Sequence, residues 1–150
     1  MGTNGVNRIV IAVRDLEDSK KKYHDLLGAT FTDAHWTGEP FGISVSIAWD
    51  AGIELCAPLP GRENSSAVSG FLSTHGEGVM SVFFNVSDGE AAMERATRHG
   101  YKRVHSLDYT QAEIDDHLGG LFERYQEFNL DTGESYGFGV SLARIEKRNR

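Results

Sequence analysis

The strongest constraint on this chain is that part of it occurs twice. Val13-Arg14-Asp15 returns as Val86-Ser87-Asp88, a shift of 73 positions (86 − 13), and Glu17 returns as Glu90 at the same shift. Gly28 returns as Gly100 at a shift of 72 (100 − 28). Two copies at so long a period indicate a duplicated module rather than a solenoid. Each copy reads as a strand, a capped helix, a glycine stop and three further strands.

In the first copy, Arg8–Val13 is β-branched and apolar, which predicts a strand. Asp15 is placed to cap a helix whose apolar residues Leu16, Tyr23, Leu26 and Leu27 fall at helical spacing, with Gly28 as its stop. Lys20-Lys21-Lys22 reads as the solvated face of that helix. Strands are expected over Ala29–Trp36, Phe41–Trp49 and Ile53–Ala57, with a hairpin turn at Asp50-Ala51-Gly52. In Phe41–Trp49, Phe41, Ile43, Val45, Ile47 and Trp49 alternate with Gly42, Ser44, Ser46 and Ala48. A polar connector, 61–78, carries one short apolar piece, Val68–Leu72.

In the second copy, Val79–Val86 is the first strand, and Asp88 caps a helix running to Gly100. Tyr101–Leu107, Leu121–Leu130 and Tyr136–Ile145 are the later strands. Between them, Thr110-Gln111-Ala112-Glu113 has capping-box form and opens an inserted helix to Leu118, closed by Gly119-Gly120.

Composition narrows the function. A net charge of −7 and a pI near 5.3 argue against a nucleic-acid partner, which asks for a basic face. No apolar run approaches the roughly 20 residues that span a bilayer, and no signal-peptide pattern opens the chain. One cysteine, Cys56, makes no internal disulfide and suits a reducing cytoplasm. A chain of 150 residues holds one domain: module one at about 6–60, the connector 61–78, and module two at about 79–146 with an insertion at 108–120.

Three stretches resemble the vicinal oxygen chelate superfamily, which includes glyoxalase I, methylmalonyl-CoA epimerase, extradiol dioxygenases and bleomycin-resistance proteins. They are Ile9–Ser19 followed by Tyr23-His24-Asp25-Leu26-Leu27-Gly28, then Ile53-Glu54-Leu55, then Phe71–Val79. The last is most like the epimerase branch. The resemblance implies an α+β fold of two βαβββ modules, with a cupped mixed sheet around a ligand, helices outside, and a homodimer. In metal-using members a His on the first strand of each module and a Glu or Gln on the last strand hold a divalent ion.

Carried onto this sequence, the first His position falls at Arg8, five residues before Val13. The second falls at Ser81, five before Val86. Glu54 matches the first carboxylate, while 137–143 contains no acid for the second. Arginine offers no lone pair and stays protonated, so it does not ligate a cation. One carboxylate and one hydroxyl fall short of the three or four ligands typical of zinc. No metal and no cofactor are therefore expected.

The expected site follows from these positions. Arg8 can clamp a carboxylate or an enolate oxygen, with Glu54 as the acid/base; alternatively the two form an ion pair plugging a vacated metal site. His35 and His105, placed on similar second strands, can carry protons near pH 7, or be surface residues. Ser81, Phe83 and Asn85 form a mixed polar and aromatic face suited to a ligand. In Glu123-Arg124-Tyr125-Gln126-Glu127, Glu123, Tyr125 and Glu127 alternate with Arg124 and Gln126; that face brings carboxylates and a phenol to a ligand, with Glu123 and Tyr125 as the binding candidates, or the stretch is an edge or surface strand. The insertion can act as a lid, a decorative loop or a dimer contact.

Three functions fit. The first is metal-independent proton transfer next to a carbonyl of a small organic molecule, by an isomerase, epimerase or lyase. The second is non-catalytic binding of a drug or metabolite. The third is a metal-dependent epimerase or dioxygenase with a relocated site. The epimerase-like connector hints at acyl-CoA, although no Lys/Arg cluster marks a nucleotide phosphate site.

Overall fold

The structure, a computed structural model, describes residues 3–132 and 138–148. The chain divides into two compact units, Arg8–Met80 and the flanking residues up to Asn7 together with those from Ser81 onward. Both are α+β.

The first unit contains β1 (Val6–Ala12, entering from the second unit), α1 (Leu16–Leu27), β2 (Thr32–Asp33), α2 (His35–Gly38), a 3-10 turn (Glu39–Phe41), β3 (Ile43–Ala48), β4 (Ile53–Pro58) and α3 (Ala67–His75). Its strands lie in the order β2-β3-β4-β1. β1 runs parallel to β4 and the other pairs are antiparallel. α1 starts where Asp15 accepts from the Asp18 N–H, 2.9 Å, and ends at Gly28, whose φ of 70° supplies the left-handed stop. Ile53, Leu55, Ala57 and Val13 form a buried cluster, against which Leu16 and Tyr23 of α1 pack.

The second unit contains β5 (Gly78–Asn85, entering from the first unit), α4 (Gly89–Arg98), β6 (Arg103–Asp108), α5 (Gln111–His117), β7 (Phe122–Leu130) and β8 (Gly139–Lys147). Its order is β5-β8-β7-β6, with β5 parallel to β8. Asp88 caps α4 by accepting from Ala91, and Met93 packs with Phe128 and Leu130. The capping box of α5 forms in both directions between Thr110 and Glu113.

Several expectations need correction. The strand expected at Ala29–Trp36 is two residues long, and the chain then turns into α2. Gly38 sits so close to β3 that a Cβ there would lie 2.6 Å from the Ile43 carbonyl oxygen, and Pro40 favours the 3-10 turn that follows. His35 therefore opens a helix, while His105 lies on β6; the two do not occupy similar strand positions. The strand at Phe41–Trp49 keeps only Ile43–Ala48, and Ser44 and Ser46 are buried as deeply as the apolar residues between them. The connector holds a helix, α3, capped by the Ser66 hydroxyl. α4 also stops at Arg98, not Gly100. The start of the strand expected at Tyr136–Ile145 lies outside the described residues.

Candidate functional site

The strand registers sort each sheet into two faces, because successive side chains alternate. In the first unit Ile11, Val13, Leu55 and Ala57 belong with α1. Arg8, Val10, Glu54, Cys56, Val45 and Ile47 therefore share the opposite face.

On that face Arg8 donates from Nε to Glu54 Oε1 at 2.8 Å. The arginine side chain is 2% exposed and the carboxylate 12%. The guanidinium also lies 5.3 Å from the Trp49 ring centroid, within cation–π range. Cys56, two residues along β4, donates its thiol to the other carboxylate oxygen at 3.4 Å. Two charges are thus held out of water, against an indole. That costs several kcal/mol per ion unless the attraction and hydrogen bonds offset it. Arg8, expected from the family resemblance at a metal-binding His position, thus engages Glu54, expected at the position of a ligand carboxylate. Among the described residues no group of three His, Cys, Asp or Glu side chains converges. This donor set does not fit a divalent cation.

In the second unit the face opposite α4 carries Tyr125, Glu127 and Asn129 of β7, Ser141 and Ala143 of β8, Ser81, Phe83 and Asn85 of β5, and His105 of β6. Tyr125 donates its phenol to Glu127 Oε1 at 2.6 Å, and the two residues are 4% and 7% exposed. Asn129 donates to Ser141 Oγ at 2.8 Å, and Ser81 donates to the Gly139 carbonyl at 3.1 Å. Asn85 Oδ1 is buried with no hydrogen-bond partner among the described residues, an unusual state for a polar atom.

The candidate residues therefore separate. Arg8 and Glu54 meet. Ser81, Phe83, His105 and Tyr125 share one sheet face, with Phe83 buried and His105 exposed. Glu123 is exposed at an irregularity between Phe122 and Arg124. His35 accepts the Val45 N–H at Nδ1, 3.0 Å, which leaves the proton of the neutral ring on Nε2, facing Asp33 Oδ2 at 3.6 Å. Glu127 and Asn85, which strand alternation puts on the expected ligand faces, join the second unit's face. Glu127 is the buried carboxylate of the 123–127 stretch, and it lies directly opposite Ala143, inside the acid-free stretch of the last strand. Asn85 is the unpaired acceptor. The alternation of β7 is the signal for Glu127; nothing in the sequence marks Asn85 beyond its place on a mixed face.

Comparison with known proteins agrees with this architecture. Residues 7–118, well over half the chain, match the family model described as Glyoxalase/Bleomycin resistance protein/Dioxygenase superfamily. No curated protein matches the chain. A methylmalonyl-CoA epimerase from Mycobacterium tuberculosis superposes with a TM-score of 0.69 at 22% identity, covering 98% of this chain and 90% of that one. A variant of the Streptomyces coelicolor epimerase, in complex with 2-nitronate-propionyl-CoA, gives 0.70 at 20% identity, covering 95% and 98%. A methylmalonyl-CoA epimerase in complex with methylmalonyl-CoA and NH4+ gives 0.71 at 19%, covering 98% and 100%. At these identities the structural likeness shows the fold, and no helix among the described residues is long and apolar enough to cross a membrane. The chain belongs to the Glyoxalase/Bleomycin resistance protein/Dioxygenase superfamily.

Proposed function

We propose that this protein is a metal-independent isomerase or epimerase that moves a proton next to the carbonyl of a small organic acid or thioester. The observation that carries the reading is the buried Arg8–Glu54 pair at 2.8 Å, standing at positions where family members hold a metal. A carbonyl oxygen entering beside Arg8 takes a guanidinium hydrogen bond, which strengthens as the oxygen becomes enolate. Glu54 then removes the adjacent C–H proton. The C–H electron pair becomes the enolate π bond, and the carbonyl π pair moves onto oxygen. Returning the proton to carbon gives the isomer, with no redox change. Ser81, Phe83, His105 and Tyr125 are ligand contacts in this reading, together with the acceptor Asn85. His35 serves as a proton carrier through Nε2, and Glu123 lies at the margin. The reading includes a cytoplasmic homodimer. The family resemblance supports the dimer, and the single buried thiol of Cys56 suits a reducing compartment.

The test is solvent exchange. Methylmalonyl-CoA, the ligand of a structural neighbour, incubated in D2O with metal-stripped protein should gain deuterium at C2. Glu54→Gln should lower that rate at least a hundredfold. Exchange that appears only after cobalt or zinc is added would overturn the metal-free reading. A mass of 16.5 kDa by light scattering would remove the dimer.

A second reading is a non-catalytic binder. The closed, buried geometry of the Arg8–Glu54 pair favours it, because both carboxylate oxygens are already engaged, one by Arg8 and the other by the Cys56 thiol. Tight binding of a ligand with no deuterium exchange would select it.

A further inference from the structure

The other face of the second unit's sheet, the side covered by α4, is incompletely filled. A cavity of about 350 Å³ lies between α4 and strands β7 and β8, walled by Ala92 and Ala96 of the helix and by Leu130, Val140 and Leu142 of the sheet. α1 and α4 are capped at matching positions, Asp15 and Asp88, so positions correspond by the shift of 73. The residue eight beyond the cap is Tyr23 in α1 and Ala96 in α4. Tyr23 packs against the core of its unit; a methyl group stands in its place in the other. The volume lies at the lower end of the about 300–1,000 Å³ found for small-molecule sites.

Two polar side chains one helical turn apart, Arg95 and His99, also line the cavity. Both residues are exposed, and neither side chain has a hydrogen-bond or ion-pair partner among the described residues. Arg98, in the same turn, is different: it reaches Glu94 at 3.7 Å. A cation at a helix C-terminus complements the dipole without any cavity. That explanation accounts for Arg98 but not for a second, unpaired arginine beside an apolar hollow. An apolar hollow with a guanidinium at its rim matches a molecule having a hydrocarbon body and a single carboxylate, which the guanidinium can hold by two parallel hydrogen bonds.

We propose that the second unit carries a binding site for small apolar monocarboxylates between α4 and its sheet, with Arg95 holding the carboxylate and Ala96 leaving room for the hydrocarbon. The site is independent of the Arg8–Glu54 face.

Sodium octanoate titrated into the 15N-labelled protein tests this. Saturable amide shifts should concentrate on α4 and on β8 near Val140. Arg95→Gln should weaken binding about tenfold, and octan-1-ol should bind as weakly to the wild type as octanoate does to that variant. Ala96→Phe, which fills the hollow, should abolish the shifts; if it does not fold, the exposed Arg95→Gln position decides. Glu54→Gln should leave octanoate binding unchanged. Absence of saturable shifts, equal affinity in Arg95→Gln, or loss of binding in Glu54→Gln would each overturn the proposal.

Discussion

The two units have the same strand order and the same capped helix, yet they load the sheet face opposite that helix in different ways. The first places an ion pair there, Arg8 on β1 against Glu54 on the last strand, β4. The second places a phenol–carboxylate pair there, both members on β7. A carboxylate thus reaches the corresponding face in each half, but from a different strand. Because Glu127 lies opposite Ala143, the neighbouring strand supplies what the last strand lacks. Duplicated modules keep a face more faithfully than they keep the residue position that serves it.

The largest effect should come from breaking the first pair on one side only. Glu54→Leu leaves the Arg8 charge buried opposite an alkyl chain, which should cost about 3–5 kcal/mol in urea unfolding. The double variant Arg8→Met, Glu54→Leu removes both charges and should recover most of that loss, or exceed wild-type stability. If the single variant costs under about 1 kcal/mol, the pair is not desolvated and the two faces differ less than their side chains suggest.

In the second unit the corresponding change is smaller. Tyr125→Phe removes a hydroxyl that donates to a buried carboxylate, a bond worth about 1.5–3 kcal/mol. The variant keeps the ring, which stacks on Tyr109 at 5.3 Å between centroids, so packing is retained. Glu127→Gln keeps an acceptor for the phenol and should cost less than Tyr125→Phe. The reverse ranking in thermal unfolding would mean that the Glu127 charge, rather than the phenol bond, anchors this face.

What can be read from the sequence depends on the range of the signal. The helix caps Asp15, Asp88 and Thr110 are legible because capping is decided within three or four residues. The Arg8–Glu54 meeting is legible only through the family resemblance, which assigns both residues to one shared site. The short length of β2 is not, since α2 is imposed by the close approach of Gly38 to β3, a tertiary contact that no local pattern records. Glu123 and Glu127 fit the same alternation equally well. Only the irregularity at Phe122–Arg124 separates an exposed end from a buried middle. α3 stays hidden because its apolar run is short and its cap, Ser66, sits among other small polar residues.

The smallest effect concerns how each helix is tied to its sheet. α1 uses charge: Lys20 donates to Asp33 Oδ1 at 3.0 Å, and Ser46 donates to the same oxygen at 2.8 Å. The residue at the same distance from its cap in α4 is Met93, a buried apolar side chain. Partial burial opposes ionisation of Asp33, but hydrogen bonds from Lys20 and Ser46 outweigh it and hold the carboxyl below its ordinary 3.8. Burial likewise opposes the charge on Lys20, yet its bonds to Asp33 and Glu17 win and raise it above 10.5. These directions fix the pH window. The Asp33 contribution is complete above its unfolded value and is lost as pH falls through the depressed folded value. The Lys20 contribution is complete below 10.5 and is lost as pH rises through the elevated one. Amide-exchange protection, corrected for intrinsic rates, should therefore fall in α1 at both extremes while α4 changes less. Because both groups are partly exposed, the difference should stay under about 1 kcal/mol. Asp33→Asn should flatten the acid side for α1 alone. Equal acid loss in α1 and α4 of that variant would place the titrating group elsewhere.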